Sequence, residues 1–173
     1  LKEENNYELD LDSIPEDIAY KAKAILVSYP ANPVSAAVRP EFYPKLIAWA
    51  KKYNVIVIHD NAYSEMTFDG YEGTSFLAFE GAKEVGVEFN SLSKAYNLTG
   101  ARISFCIGNK QIISEFKKLR SQIDYGVFLP VQYAAVAALN SPMDNIINNR
   151  EEYRRRREVL SKEFGEAGWP VKL

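Results

Sequence analysis

The chain has 173 residues, of which 47% are hydrophobic and 25% are charged, a composition that excludes a disordered chain and provides for one sizeable core. Its formal net charge of −2 argues against a nucleic-acid partner, because neutralising phosphates needs a concentrated basic surface. No apolar run approaches the length of a membrane span, and the one histidine and one cysteine lie far apart, so neither a membrane partner nor a metal site is expected.

Short apolar runs alternate along the chain with segments whose apolar residues recur every three or four positions. The predicted strands are residues 24–29, 55–58, 85–92 and 103–107. The predicted helices are residues 13–21, 40–53, 109–123 and 130–139, and a much longer helix that begins at residue 141. This alternation predicts an α/β fold with three layers, in which helices cover both faces of a mainly parallel sheet.

Several side chains have a predicted place in this fold. Ser13 is expected to cap the first helix and Asn109 a later one, whose apolar stripe ending at Leu119 and Ile123 is expected to be buried. Cys106 lies in an apolar strand and is expected to be an inert core thiol. The alanine-rich helix 130–139 is expected to pack closely. The four arginines 154–157 are expected on a solvated helix, since consecutive helical residues point in different directions.

A lysine follows the predicted strand 85–92, and an arginine stands eight positions later, just before the next strand. The amine of Lys94 can form a Schiff base with an aldehyde, while Arg102 and the hydroxyl of Ser91 can hold a dianion at the far end of the same molecule. Ser93 is a weaker candidate for the dianion. Pyridoxal phosphate carries both groups. A lysine at a strand end is also a common surface residue, so this interpretation depends on further motifs.

Three further side chains fit the same cofactor. Asp60 lies at the carboxyl end of a predicted strand and suits the pyridine nitrogen, which a carboxylate keeps protonated. Tyr63 and Asn32 can donate hydrogen bonds to the ring oxygen beside the imine. An aspartate there is more often a loop or cap residue, so its role depends on Tyr63 and Lys94. His59 is expected to point to the opposite face and to be packed and hydrogen-bonded.

The ordered motifs resemble those of the class I/II aminotransferases, which are pyridoxal-phosphate enzymes of fold type I. The motifs are Asn32-Pro33, Asp60-x-x-Tyr63, Ser91-x-Ser93-Lys94 and Arg102. The resemblance implies pyridoxal phosphate as cofactor, Lys94 as the catalytic residue, an amino acid and a 2-oxo acid as substrates, and a homodimer. Val34-Ser35 stand where the family has Thr-Gly, which leaves the geometry of that loop open.

The resemblance covers essentially the whole chain and implies its organisation. Residues 1–140 are expected to be the second half of the large domain, and residues 141–173 a long interdomain helix and the start of a small domain that is largely absent. The chain is expected to be a fragment with little activity of its own, in which residues 169–173 open a further strand. Residues 76–77, 81–83 and 97–100 look most like the branch holding LL-diaminopimelate, alanine and aspartate aminotransferases.

Other functions use the same residues. Fold type I also hosts pyridoxal-dependent lyases and acyl transferases, and an aminotransferase-like domain can serve as the ligand sensor of a transcription regulator. The acidic, polar N-terminal residues differ from a signal peptide, and a cytoplasmic location is therefore expected.

Overall fold

The computed structural model describes residues 1–171, and Lys172 and Leu173, the end of the predicted last strand, lie outside the described residues. The strands are β1 (Ala24–Ser28), β2 (Ile56–Asp60), β3 (Gly86–Ser91) and β4 (Ser104–Gly108). The α-helices are α1 (Glu16–Lys21), α2 (Phe42–Tyr53), α3 (Ala82–Val85), α4 (Leu92–Ala95), α5 (Lys110–Arg120), α6 (Leu129–Leu139) and α7 (Asp144–Glu166). Residues 169–171 form no strand. No helix within residues 1–171 is long and apolar enough to cross a membrane.

The four strands form one sheet in the order β1-β2-β3-β4. The first three run parallel, and β4 runs antiparallel to β3, which confirms the mainly parallel sheet. Val27 lies beside His59, and His59 lies beside Glu88. Because β4 is reversed, its first residue, Ser104, lies beside Ser91 at the end of β3. The carboxyl ends of the three parallel strands and the start of β4 therefore share one edge of the sheet.

Helix α2 covers one face of the sheet and supplies most of the core. Its apolar residues recur every three or four positions and meet the side chains of β1 and β2 that point toward it. The larger core residues are Val27, Tyr29, Phe42, Tyr43, Leu46, Ile47, Val57 and Phe76. Leu46 and Val57 are fully buried, and burial of each such side chain stabilises the fold by roughly 1.5–3 kcal/mol.

Helix α5 covers part of the opposite face. Its Phe116 ring meets the ring of Phe89 from β3 edge to face, with centroids 5.6 Å apart. The helix begins where predicted, since Asn109 accepts the backbone N–H groups of Gln111 at 3.0 Å and Ile112 at 3.1 Å. Helices therefore lie on both faces, and the predicted three-layer architecture is confirmed.

Several side chains predicted as buried are exposed. Leu26 in β1 is 68% exposed, and Leu119 and Ile123 at the far end of the α5 segment are 58% and 65% exposed. Helix α5 packs against β3 and β4, so neither its own end nor the outer side of β1 is covered by the described chain. The predictions of a fully buried first strand and of a fully buried apolar stripe on α5 are therefore wrong. An apolar pattern shows which face of an element can pack, but it does not show whether another element packs against that face.

The predicted close packing of α6 and the predicted burial of Cys106 are wrong for the same reason. Ala135 is the one buried residue of α6, so this helix is not closely packed within the described chain. Cys106 is half-buried rather than a core thiol, because β4 is an edge strand whose Phe105 and Ile107 are also exposed. Partial burial still raises the pKa of the Cys106 thiol, which favours its neutral form.

The cap predicted for the first helix is also wrong. Helix α1 follows Pro15, and the Ser13 hydroxyl donates to the carbonyl oxygen of Asp10 at 2.7 Å instead of capping it. Asp10 itself accepts the N–H of Asp12 and organises a short turn before the helix, so Ser13 is held by that turn.

Candidate functional site

Residues from four separate segments meet at the shared edge of the sheet. Asn32 follows β1, Asp60 ends β2, Lys94 follows β3, and Arg102 precedes β4. Open α/β sheets bind ligands at the carboxyl ends of their parallel strands, where the polypeptide leaves the sheet and side chains are free to face a crevice. The reversed direction of β4 is what places Arg102 at this edge.

Lys94 is held in a short, firmly anchored helix. The hydroxyl oxygen of Ser91 accepts the N–H of Ser93 at 3.2 Å and so caps α4. At the other end, the side-chain amide of Asn149 donates to the carbonyl oxygens of Lys94 at 3.1 Å and Ala95 at 3.4 Å. The backbone of Lys94 is thereby fixed from both sides, while its half-buried side chain stays accessible.

The amine of Lys94 faces a pair of polar groups. Its Nζ atom lies 5.6 Å from the centroid of the Tyr63 ring, within cation–π range. The side-chain amide of Asn32 donates to the Tyr63 hydroxyl oxygen at 3.2 Å, which leaves the phenolic hydrogen free to donate elsewhere. The structure therefore brings together the three residues that sequence reasoning placed around the aldehyde end of a cofactor.

The loop that carries Asn32 closes without the glycine of the family motif. Ser35 has a left-handed backbone conformation with φ of 54°, which glycine adopts freely and other residues adopt at a cost. The N–H of Ser35 donates to Ala31 O at 2.9 Å, and the N–H of Ala31 donates to Ala36 O at 2.7 Å. These hydrogen bonds hold Ser35 in the conformation that the missing glycine would take.

Asp60 and His59 point to opposite sides of β2, as predicted. The exposed carboxylate of Asp60 accepts the N–H of Ala62 at 3.2 Å, which holds the side chain at the strand end. His59 is fully buried on the other face and hydrogen-bonded, which confirms its predicted packed role.

Arg102 and the two serines differ in their access to the site. Arg102 is exposed and has φ of 51°, a strained conformation for a residue other than glycine. Its guanidinium donates to Thr99 O at 3.2 Å, which occupies one of five N–H donors. Ser91 is half-buried, whereas Ser93 is buried, so Ser91 is the more accessible of the two. The role of Ser93 as a ligand stays a prediction.

Two polar residues that sequence reasoning did not select support the site. Asn149 lies 55 positions after Lys94, and its surroundings in α7 carry no motif that connects it with that residue. Glu88 is a buried carboxylate in the middle of the apolar strand β3, and a charge at such a position is itself the signal that could have found it. Burial alone would raise the pKa of Glu88, but hydrogen bonds from His59 and Asn90 outweigh it and lower the pKa.

The chemical character of these groups fits pyridoxal phosphate. An amine, a phenol, an amide, a hydroxyl and a guanidinium lie around one sheet edge, where they can meet an aldehyde, a ring oxygen and a phosphate. One carboxylate, Asp60, supplies the acceptor that a protonated ring nitrogen needs. Among residues 1–171 no group of three or more histidine, cysteine, aspartate or glutamate side chains is placed to hold a metal ion.

Comparison with known proteins gives the family. The profile described as "Aminotransferase class I and II" matches residues 1–172. LL-diaminopimelate aminotransferases from Halothermothrix orenii and Aquifex aeolicus are each 48% identical over 171 residues, which is 99% of this chain and 44% of theirs. The substrate-bound structure of BacF from Bacillus subtilis superposes with a TM-score of 0.95 at 36% identity, covering 99% of this chain and 44% of that one.

The chain thus spans less than half of the length of these relatives. The matched residues still include all four strands and every segment of the candidate site. The chain belongs to the class I and II aminotransferase family.

Proposed function

We propose that the protein is a pyridoxal-phosphate-dependent aminotransferase in which Lys94 binds the cofactor covalently. The observation that carries this proposal is the position of the Lys94 amine over the Tyr63 ring, with Asn32 bonded to the Tyr63 hydroxyl. A lysine with only a surface role requires neither the backbone contacts of Ser91 and Asn149 nor a position beside the Tyr63–Asn32 pair.

Each residue has a proposed role in this reaction. When bound, the cofactor supplies an electron-withdrawing ring that stabilises negative charge at the substrate's alpha carbon. With the cofactor and a substrate bound, Lys94 would act as the base beside that carbon and would move its proton. Asp60 keeps the ring nitrogen protonated, and Tyr63 with Asn32 donates to the ring oxygen.

The far end of the cofactor is assigned to the remaining residues. The planar guanidinium of Arg102 can make paired hydrogen bonds to a phosphate, and Ser91 adds a hydroxyl. Ser93 completes the proposed set, with a side chain that is buried and therefore less accessible. The strained conformation of Arg102 supports this assignment, because residues in sparsely populated backbone conformations are concentrated at ligand-binding and catalytic sites.

The proposal also covers the substrate, the domains of the chain and its assembly. LL-diaminopimelate is the amino donor to test first, with a 2-oxo acid as acceptor, since two relatives 48% identical to this chain are LL-diaminopimelate aminotransferases. We propose that residues 1–140 form the second half of the cofactor-binding domain and that residues 141–173 lead into a small domain. A cytoplasmic homodimer is part of the proposal, and the exposed aromatic residues Phe128 and Tyr133 support burial of that surface by another part of the protein.

The test is covalent trapping of the cofactor. Pyridoxal phosphate is added to the 173-residue chain and to the longest gene product that contains it, followed by borohydride reduction and peptide mapping. We expect the label on Lys94 and no absorbance band in Lys94→Ala, while Lys117→Ala, which removes an exposed lysine of α5, keeps both. A band that survives in Lys94→Ala would overturn the assignment.

Product analysis then separates reaction classes that share this cofactor. Conversion of an amino acid and a 2-oxo acid into the reciprocal pair supports the transferase. Loss of a carbon group or formation of an acyl product would instead show a lyase or an acyl transferase. Covalent binding without turnover in the longer product, together with a basic DNA-binding segment in it, would show a sensor domain.

A further inference from the structure

His59 is the single histidine of the chain, and its imidazole is fully buried on the face of β2 opposite to Asp60. Both ring nitrogens face acceptors. Nδ1 lies 3.0 Å from the Oε2 oxygen of Glu88, and Nε2 lies 3.2 Å from the backbone carbonyl oxygen of Tyr29. A carbonyl oxygen has no proton to give, so the hydrogen bond to Tyr29 requires a proton on Nε2.

The hydrogen-bond donors around Glu88 favour its ionised form. The backbone N–H of Phe76 donates to Oε2 at 2.8 Å, and the side-chain amide of Asn90 donates to Oε1 at 2.8 Å. The hydroxyl of Ser75 lies 3.0 and 3.1 Å from the two oxygens. Phe76 and Asn90 can only donate, and hydrogen bonds donated to both oxygens stabilise the carboxylate over the acid, which places the proton between Glu88 and His59 on Nδ1.

A carboxylate that is 1% exposed needs a counter-charge. Among residues 1–171 the basic group that lies within ion-pair distance of Glu88 is the imidazole of His59, at 3.0 Å. The lowered pKa of Glu88 agrees with this pairing, since burial alone would raise it. The other ring-bearing neighbours supply no charge, because burial raises the pKa values of the Tyr29 and Tyr43 phenols.

A neutral His59 ring would need a different hydrogen bond at Nε2. The Tyr43 hydroxyl lies 3.4 Å from Nε2 of His59 and could donate to a neutral ring. That arrangement would place the Nε2 lone pair against the carbonyl oxygen of Tyr29, which is nearer at 3.2 Å. Among residues 1–171 the titratable side chains that contact His59 are Glu88 from β3 and Tyr43 from α2, while Tyr29, which follows β1, contributes its backbone carbonyl.

We infer that His59 is held as an imidazolium ion, and that its ion pair with Glu88 is the positioning element beneath the cofactor site. His59 adjoins Asp60 in sequence, and its second hydrogen bond holds the carbonyl of Tyr29, three residues before Asn32. Glu88 lies on the strand that leads into Lys94. The pair therefore ties together the three segments whose relative positions the site requires. Only this positioning role rests on the proposed function.

The protonation state can be read directly, because 15N-histidine labelling of the chain gives one imidazole. We expect the 15N shifts of two protonated ring nitrogens at neutral pH. We expect the same shifts in Tyr43→Phe, which removes the one alternative donor while conserving volume. One unprotonated nitrogen in the wild type, or a change of Nε2 in Tyr43→Phe, would overturn the inference.

The positioning role needs a separate readout. Glu88→Gln keeps the shape and removes the charge, and we expect it to weaken covalent attachment of pyridoxal phosphate to Lys94 on the order of tenfold at equal folded fraction. The matched control, Glu84→Gln, alters an exposed carboxylate paired with Lys51 and is expected to leave attachment unchanged. Glu88→Asp, which keeps the charge, is expected to restore part of the affinity.

The outcomes separate the two hypotheses. A folded Glu88→Gln protein with wild-type attachment would overturn the positioning role. If Glu88→Gln does not fold, Glu88→Asp decides by the same measurement of pyridoxal-phosphate attachment to Lys94. The shorter side chain of aspartate displaces the carboxylate, so attachment weaker than in the wild type is expected. Attachment equal to the wild type would again contradict the positioning role. If the wild type itself attaches no cofactor, the proposed function fails, whereas the imidazolium is still decided by the 15N shifts.

Discussion

The side chain of Asn149 donates to the backbone carbonyl oxygen of Lys94 at 3.1 Å, across 55 residues of sequence. Helix α7, which carries Asn149, also carries Arg157, whose guanidinium binds both carboxylate oxygens of Asp69 at 2.9 Å and lies over the ring of Phe68. Asp69 lies six residues after Tyr63. One long helix therefore contacts both the segment of Lys94 and the segment of Tyr63.

Replacing Asn149 by alanine is expected to destabilise the fold and loosen the Lys94 helix. The substitution removes donors to two carbonyl oxygens, and one such hydrogen bond contributes about 1 kcal/mol. Urea unfolding measures the loss, and borohydride trapping measures the attachment of cofactor to Lys94. The neighbouring Asn148 is exposed, so Asn148→Ala serves as the control. Equal stability of the two variants would show that the contact to α7 does not hold this helix.

The ion pair of Arg157 with Asp69 is expected to stabilise the fold at neutral pH and to lose its effect in acid. The hydrogen bond from Arg157 lowers the pKa of Asp69 below its ordinary value of 3.8. The stabilisation is therefore present above that pH and disappears as the pH falls through the lower, folded-state value. Arg157→Ala should lower the denaturant midpoint near neutrality more than Arg155→Ala, whose arginine pairs only with Glu152 on its own helix. A difference between the two variants that persists in strong acid would contradict this.

The strands and helices were predictable because their signals are local. The apolar run before His59 and Asp60 marks β2, and the spacing of Tyr43, Leu46 and Ile47 marks the buried side of α2. The motif residues could also be assigned to one sheet edge, because a parallel sheet brings the carboxyl ends of its strands together.

Burial and long-range contacts were not predictable in the same way. Leu26 and Leu119 have apolar surroundings in sequence, yet they are exposed because covering a face requires a second element that no local pattern reveals. The contact of Asn149 with Lys94 depends on where helix α7 packs. The side chain of Arg157 was expected to be solvated, but it is partly buried and bonded to Asp69, which is distant in sequence. The reversed direction of β4 is likewise a property of the topology.

Removing the charge of Glu88 is expected to cost about 3–5 kcal/mol of unfolding free energy near neutral pH, since it leaves a buried cation without its partner. The folded-state pKa of Glu88 lies below its ordinary value of 4.5, so ionised Glu88 stabilises the fold above that pH. The advantage of the wild type over Glu88→Gln should shrink as the pH falls through the folded-state pKa. Denaturant titrations at several pH values measure this difference, and a pH-independent difference would argue against an ionised Glu88.

Replacing Asp60 by asparagine is expected to separate binding from chemistry. Lys94 still forms its covalent attachment, but the ring nitrogen loses the carboxylate that keeps it protonated, so proton removal from the substrate slows. We expect a decrease on the order of 100-fold in the rate of amino-group transfer, comparable with the loss of one charge-stabilising contact in other enzymes. Single-turnover absorbance kinetics measure the rate. Asp12→Asn, at an exposed aspartate that is not part of the candidate site, is the control. An unchanged rate would remove Asp60 from the proposed site.

Replacing Arg102 by lysine tests the assignment of the phosphate. Lysine keeps the positive charge and tolerates the left-handed backbone no worse than arginine, but it lacks the planar fork that makes paired hydrogen bonds to a phosphate. A lost hydrogen bond between charged groups amounts to about 1.5–3 kcal/mol, so attachment of pyridoxal phosphate should weaken at least about tenfold.

Pyridoxal, which has the aldehyde but no phosphate, provides the control within the same protein. If Arg102 holds the phosphate, Arg102→Lys leaves the attachment of pyridoxal to Lys94 unchanged, and Arg39→Lys, at an exposed arginine outside the candidate site, changes neither ligand. Equal weakening of both ligands in Arg102→Lys would mean that Arg102 supports the local fold before β4 instead. No weakening of either would assign the phosphate to other residues, because a guanidinium that bound it could not be replaced by an ammonium without loss.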